Sequence, residues 1–134
     1  MKNFNISKIR DLFTKKDEQF YKEHNLLEEL QDPFVLFNVV VRGVSQYNLL
    51  DEVYTNKFPE QYGVIRDGIR TRQFDYLFDL LQKVSLEERD IFSRTKEDLG
   101  KDVVEESLSQ LMQHFIELEA YEKCSVLKKY LEKV

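Results

Sequence analysis

Residues 102–134 read DVVEESLSQLMQHFIELEAYEKCSVLKKYLEKV, and this stretch decides the fold class. Apolar side chains recur at three- and four-residue steps on both sides of a short break near Leu118–Ala120, which predicts two amphipathic helices. Two apolar stripes joined by a tight turn bury each other, so we expect an antiparallel helical hairpin. The first stripe consists of Val104, Leu108, Leu111 and Phe115, and the second of Tyr121, Cys124, Leu127, Leu131 and Val134.

The composition of the whole chain favours an all-α fold. A chain of 134 residues is long enough to build one core without metal ions or disulfides. Four glycines and two prolines are few for a protein that depends on many β-turns. We therefore predict a single compact multi-helix domain over residues 1–134, with the hairpin at its C-terminal end.

Charge, cysteine content and hydropathy indicate which partners and which cellular compartment to expect. The net charge of −5, with acids and bases interleaved, disfavours a broadly basic nucleic-acid binder. The single Cys124 has no partner for an internal disulfide, which indicates a reducing compartment such as the cytoplasm. No run approaches the ~18 apolar residues of a membrane span, and the N-terminus lacks the apolar segment of a signal peptide.

The N-terminal part of the chain predicts three helices. The first covers Ser7–Phe13, and the second ends at about Gln31. The third begins at Asp32-Pro33, which suits a helix cap followed by a first-turn proline.

The segment Phe34–Val44, FVLFNVVVRGV, fits either a buried helix or a buried strand. Its polar residues Asn38 and Arg42 are four positions apart and share one narrow strip of a helix. No second run of this kind exists to pair with a strand, so a buried helix is favoured. Buried polar groups need partners, and we expect an internal ion pair or a pocket lining at this strip.

Turn and cap signals divide the middle of the chain. A break at Thr55–Phe58 precedes a short helix that starts at Pro59, is weakened by Gly63 and Gly68, and ends near Arg70. A separate amphipathic helix is predicted over residues 72–84.

Two further helices are predicted between residues 85 and 117. Ser85 and Glu88 have the spacing of a capping box, which would start a helix that Gly100 ends. Asp102 would cap the next helix, with Glu105 three residues further on.

The predicted hairpin also carries a family pattern. The matching positions are Leu111, Ile116, the run Glu119–Lys123, Cys124, Ser125 and Leu127. On these positions the segment resembles the UVR helical hairpin of the excision-repair proteins UvrB and UvrC and of some chaperone adaptors. The family's arginine position is Lys128 here, and its final acidic position is Lys129. The resemblance implies a docking module that pairs with another protein, and it covers about a quarter of the chain.

A docking hairpin needs an inner face in the core and an outer face open to a partner. The residues we expect to contact a partner protein are Tyr121, Glu122, Lys123 and Lys128. The alternative is that the hairpin serves only to complete the domain's own core.

A local basic cluster is a second candidate site. Arg66, Arg70 and Arg72 lie close together, and the first two share a helix face. Guanidinium groups in such a cluster can bind phosphates of a nucleic acid or carboxylates of a partner. The alternative is pairing within the chain, with acids such as Asp67, Asp75 or Asp79.

No sequence motif predicts an enzyme, a metal site or a cofactor. His24 and His114 have no companion ligands at metal spacing, and Cys124 lies on an apolar stripe as a small core residue would. We therefore predict a non-catalytic adaptor or accessory protein without a cofactor, in nucleic-acid or phage machinery. The alternatives are a nucleic-acid-associated protein that uses the arginines, or a viral assembly component.

Overall fold

A computed structural model describes residues 32–134, and the helices predicted within residues 1–31 lie outside that range. Every regular element of the described chain is a helix, which confirms the all-α prediction. The helices are α1 Pro33–Lys57, α2 Pro59–Gln82, α3 Arg89–Leu99, α4 Lys101–Glu117 and α5 Tyr121–Lys133.

The ambiguous segment Phe34–Val44 is helical and forms the first half of α1. Its start matches the prediction, because the Phe34 N–H donates to Asp32 Oδ1 at 2.9 Å and proline occupies the first turn. Asn38 donates to the Phe34 carbonyl at 3.0 Å and to Thr95 Oγ1 at 3.2 Å. Arg42 is exposed, so the internal ion pair expected at this strip is not formed and no charge is buried there.

The division predicted within residues 59–84 is wrong. One helix, α2, runs from Pro59 through Gly63 and Gly68 to Gln82, and the break before it is confined to Phe58. The two glycines weaken a helix by about 1 kcal/mol each. Buried residues on both sides of them, Tyr62 and Phe74 among others, hold the helix against the core and outweigh that cost.

The predicted starts of α3 and α4 also need correction. Ser85 Oγ accepts from the Glu87 N–H at 3.2 Å, and α3 begins only at Arg89, so the capping box is not used. The end of α3 is as predicted, because Gly100 has a φ of 92° that suits glycine alone. Helix α4 begins at Lys101, which places Asp102 in its first turn instead of at the cap.

The core lies between α1, α2 and α4, with α3 and α5 packed against it. Edge-to-face contacts between aromatic rings join the helices. The ring centres of Phe37 and Phe92 are 5.0 Å apart, and those of Phe78 and Phe115 are 5.3 Å apart. Tyr130 of α5 donates its hydroxyl to the Leu81 carbonyl at the end of α2. The C-terminal helices are therefore part of the core and not an appended arm.

The contacts between α4 and α5 fit the expected hairpin. All four residues of the first stripe are buried, and Leu127 of the second stripe is buried as well. Three further residues of the second stripe, Cys124, Leu131 and Val134, pack partly against the core. Tyr121 is wrongly assigned to the stripe, because its side chain is 63 % exposed.

Across residues 32–134, none of the helices combines the length and apolar character needed to cross a membrane.

Candidate functional site

The turn between α4 and α5 has a fixed backbone. The Ala120 N–H donates to the Phe115 carbonyl at 2.8 Å, and the Glu119 N–H donates to the Ile116 carbonyl at 3.0 Å. This pair of bonds is the Schellman pattern of a helix end, which requires a left-handed residue. Glu119 takes that position with a φ of 58°, the one positive φ at a non-glycine residue of the described chain. The turn is therefore rigid, although it lacks the glycine that such turns usually contain.

Three large apolar side chains project from this turn into solvent. Ile116 is 40 % exposed, Leu118 52 % and Tyr121 63 %. The carboxylates of Glu117, Glu119 and Glu122 alternate with them in sequence and are exposed as well. We call these six residues, Ile116, Glu117, Leu118, Glu119, Tyr121 and Glu122, the turn surface. The other exposed large apolar residues of the described chain lie on α1, on α2 and in the first turn of α4.

Of the four predicted partner-binding residues, three are exposed and the fourth is half-buried. Tyr121, Glu122 and Lys128 are exposed on α5. The Lys123 ammonium instead lies 3.3 Å from Asp75 Oδ1 and 4.9 Å from the ring centre of Phe115. Lys123 therefore ties α5 to α2 by an ion pair and a cation–π contact. This role could not be predicted from the local pattern around Lys123, because Asp75 is 48 positions away.

The turn surface adds residues that the sequence pattern did not single out as a site. The sequence pattern places Leu118 in the break between the helices and Ile116 in the family pattern, and it predicts neither as a contact residue. The spacing of the apolar residues could have indicated this exposure, because Leu118 falls outside both predicted apolar stripes. An apolar residue off the buried stripe at a helix end is a candidate for exposure.

The arginine cluster is largely paired within the chain. Arg66 donates to both carboxylate oxygens of Asp51, with Nε–Oδ1 at 2.8 Å and Nη2–Oδ2 at 2.6 Å. Arg70 lies 3.0 Å from Asp67, one of the acids expected to pair with the cluster. Arg72 is exposed and borders a shallow depression on α2. The structure therefore does not present the three guanidinium groups as one free patch.

Asp51 is the centre of a network that joins α1 to α2. In addition to Arg66, the hydroxyls of Tyr62 and Tyr47 donate to Asp51 Oδ1, at 2.9 and 3.4 Å. Burial alone would raise the pKa of the Asp51 carboxyl, but the hydrogen bonds from Arg66 and Tyr62 lower it below its usual value. Burial, followed by the hydrogen bond to the Asp51 carboxylate, raises the pKa of Tyr62. The network holds two helices together and offers no free acid or base.

His114 is the one histidine of residues 32–134, and its side chain is buried. It is 5 % exposed, and its ring packs edge-on against Phe74 and Phe115 with both ring centres at 5.0 Å. Burial, and then the positive charge of Arg70, lowers the pKa of His114 below its usual value. Cys124 is half-buried, with its Sγ 3.7 Å from the Met112 carbonyl. The two side chains belong to the packing of α4 and α5.

Residues 32–134 contain no group of three His, Cys, Asp or Glu side chains placed to hold a metal ion. No protein-family model, curated protein or solved structure matches this chain.

Proposed function

We propose that this protein is a non-catalytic adaptor that docks a larger protein through the outer side of its C-terminal hairpin. The observation that carries the proposal is the turn surface, where three large apolar side chains stand exposed within six residues. Exposed apolar side chains that cluster on a folded surface are typical of protein–protein contacts. The resemblance of the same segment to the UVR hairpin supports a docking role.

The inner side of the hairpin supplies the rigidity that such a role needs. Leu108, Leu111 and Leu127 are fully buried, and Lys123 is anchored to Asp75. A surface held in place before binding loses little conformational entropy when a partner arrives. Tyr121 adds an exposed aromatic ring, the kind of side chain that often contributes most to binding.

The arginine cluster supports a nucleic-acid function less well. Arg66 and Arg70 already bind carboxylates of their own chain. Binding a phosphate would require them to exchange one anion for another, which leaves little net electrostatic gain.

Photo-crosslinking tests the proposed docking in the cells that produce the protein. The full chain carries a benzoylphenylalanine in place of Tyr121 or, as the matched control, of Leu49. Both positions are 63 % exposed, so they differ in location and not in accessibility. We expect a discrete adduct at position 121 and none of the same mass at position 49. Absence of an adduct at 121, or the same adducts at both positions, overturns the proposal.

Deleting residues 102–134 would not be a clean test. The deletion removes Val104, Leu108, Leu111, Phe115 and Leu127, all of them core residues. Loss of a partner would then report unfolding, since large core deletions cost several kcal/mol each.

A further inference from the structure

The turn surface has a charge pattern as well as an apolar one. Glu117, Glu119 and Glu122 alternate in sequence with its apolar side chains, and no ion pair to another described residue engages any of the three. The nearby Lys123 is directed at Asp75 and at two aromatic rings. The exposed Lys128 lies six residues further along α5, about 9 Å at 1.5 Å per residue. The local potential at the turn is therefore negative.

Glu119 adds a charge where the backbone favours another residue. A left-handed conformation is disfavoured for residues with a Cβ, and glycine adopts it without strain. Here the left-handed residue is Glu119, so the backbone at this position is strained and its side chain is the third carboxylate of the turn surface.

We infer that the turn surface binds a basic amphipathic helix of the partner protein; this inference rests on the docking function proposed above. Such a helix presents an apolar stripe between rows of Lys or Arg, so it can cover Leu118 and Tyr121 while its cations meet the three glutamates. Nucleic acid and anionic lipid surfaces carry the same sign of charge as the turn and are repelled by it.

A synthetic helical peptide serves as the probe, because the natural partner is not identified. It has leucine on one face and lysine on the other, and a matched peptide has glutamate in place of every lysine. The full-length protein, labelled with ¹⁵N, is titrated with each peptide, and fluorescence anisotropy gives the Kd. We expect the lysine peptide to bind and to shift the amide signals of residues 116–122 most. Equal binding of the glutamate peptide, or shifts spread over the whole acidic surface, overturns the inference.

Two sets of variants test the residues. The triple variant E117Q/E119Q/E122Q keeps side-chain size and removes the charges, and we expect the lysine peptide to bind on the order of tenfold more weakly. The control E60Q/E97Q/E106Q neutralises three other exposed glutamates and should leave the Kd within about twofold. The variant L118S/Y121S should weaken binding at least as much as the triple variant, and L49S should not. Equal effects of the two triple variants count against the inference.

The outcomes also separate this inference from the docking function. A crosslink at position 121 in cells, with no binding of the lysine peptide, keeps the docking function and rejects the basic helix. Peptide binding without any crosslink at position 121 rejects the docking function. Self-association of the protein without peptide, abolished by L118S/Y121S, would assign the turn surface to a second copy of the chain and reject the inference.

Discussion

Arg66 donates two hydrogen bonds to the Asp51 carboxylate, and this bidentate pair links α1 to α2. The Asp51 side chain is mostly buried and also accepts from two tyrosine hydroxyls, whereas Arg66 is largely exposed. The two partners therefore differ in what their removal leaves behind.

Replacing Asp51 with Ala should destabilise the protein more than replacing Arg66. D51A leaves the hydroxyl of the buried Tyr62 without Asp51 as its acceptor, which costs roughly 1–3 kcal/mol of unfolding free energy. R66A leaves the mostly buried Asp51 carboxylate with its tyrosine donors but without its cation, and because the lost partner is itself partly exposed it should cost less, roughly 1 kcal/mol. Urea unfolding at pH 7 measures both, and R72A, an exposed arginine, is the control. An equal loss in D51A and R66A would contradict this ranking.

Protonation of His114 should destabilise the folded state as the pH falls from 7.5 to 5.5. The folded protein lowers the pKa of His114 below 6.5, so the unfolded chain binds the proton more tightly. Stability is then present above the unfolded pKa and is lost below it, by up to about 1.4 kcal/mol per pH unit. The neighbouring charges are Arg70, Asp75, Glu117 and Lys123.

The measurement is the free energy of unfolding by urea at several pH values. H114Q should flatten the dependence between pH 7.5 and 5.5, and H24Q is the control for the other histidine of the chain. Asp51 does not contribute to this pH dependence, because its pKa in the folded protein is below its usual value and the carboxyl takes up its proton only at more acidic pH. The interpretation is refuted by an H114Q protein whose stability falls with pH as steeply as the wild type's.

The helical nature of Phe34–Val44 could be predicted because the pattern that indicates it lies within the segment itself. Asn38 and Arg42 share a helical strip, and a lone strand would have had no pairing partner. The helices α4 and α5 could be predicted for the same reason, because their apolar periodicity is strong. Both predictions use spacing within one element.

The errors arose where distant contacts override local signals. Gly63 and Gly68 suggested a break, but packing of α2 on both sides of them holds the helix continuous. The role of Lys123 depends on Asp75 and on two phenylalanine rings from other helices. Neither effect is visible in a single stretch of sequence.

Alanine at Gly43 and at Gly68 should change stability in opposite directions. A Cβ at Gly43 would lie 2.6 Å from Leu77 Cδ2, inside the packed contact of α1 with α2, whereas a Cβ at Gly68 meets no atom within 4 Å. G43A should therefore lose roughly 1–3 kcal/mol through overpacking. G68A should gain about 0.5–1 kcal/mol from helix propensity. Thermal unfolding compares the two variants, and a stabilised G43A would show that Leu77 moves aside without cost.

Replacing Glu119 with glycine should stabilise the fold, although the position is exposed. Its φ of 58° is disfavoured for a residue with a Cβ, and glycine removes that strain. We expect E119G to gain roughly 0.5–1 kcal/mol in urea unfolding, and E119N to gain less because asparagine tolerates the left-handed region only in part. The control is E106G in the middle of α4, where glycine should cost about 1 kcal/mol. A loss of stability in both E119G and E106G would mean that the left-handed turn is not strained, and that the glutamate at this position supports the fold.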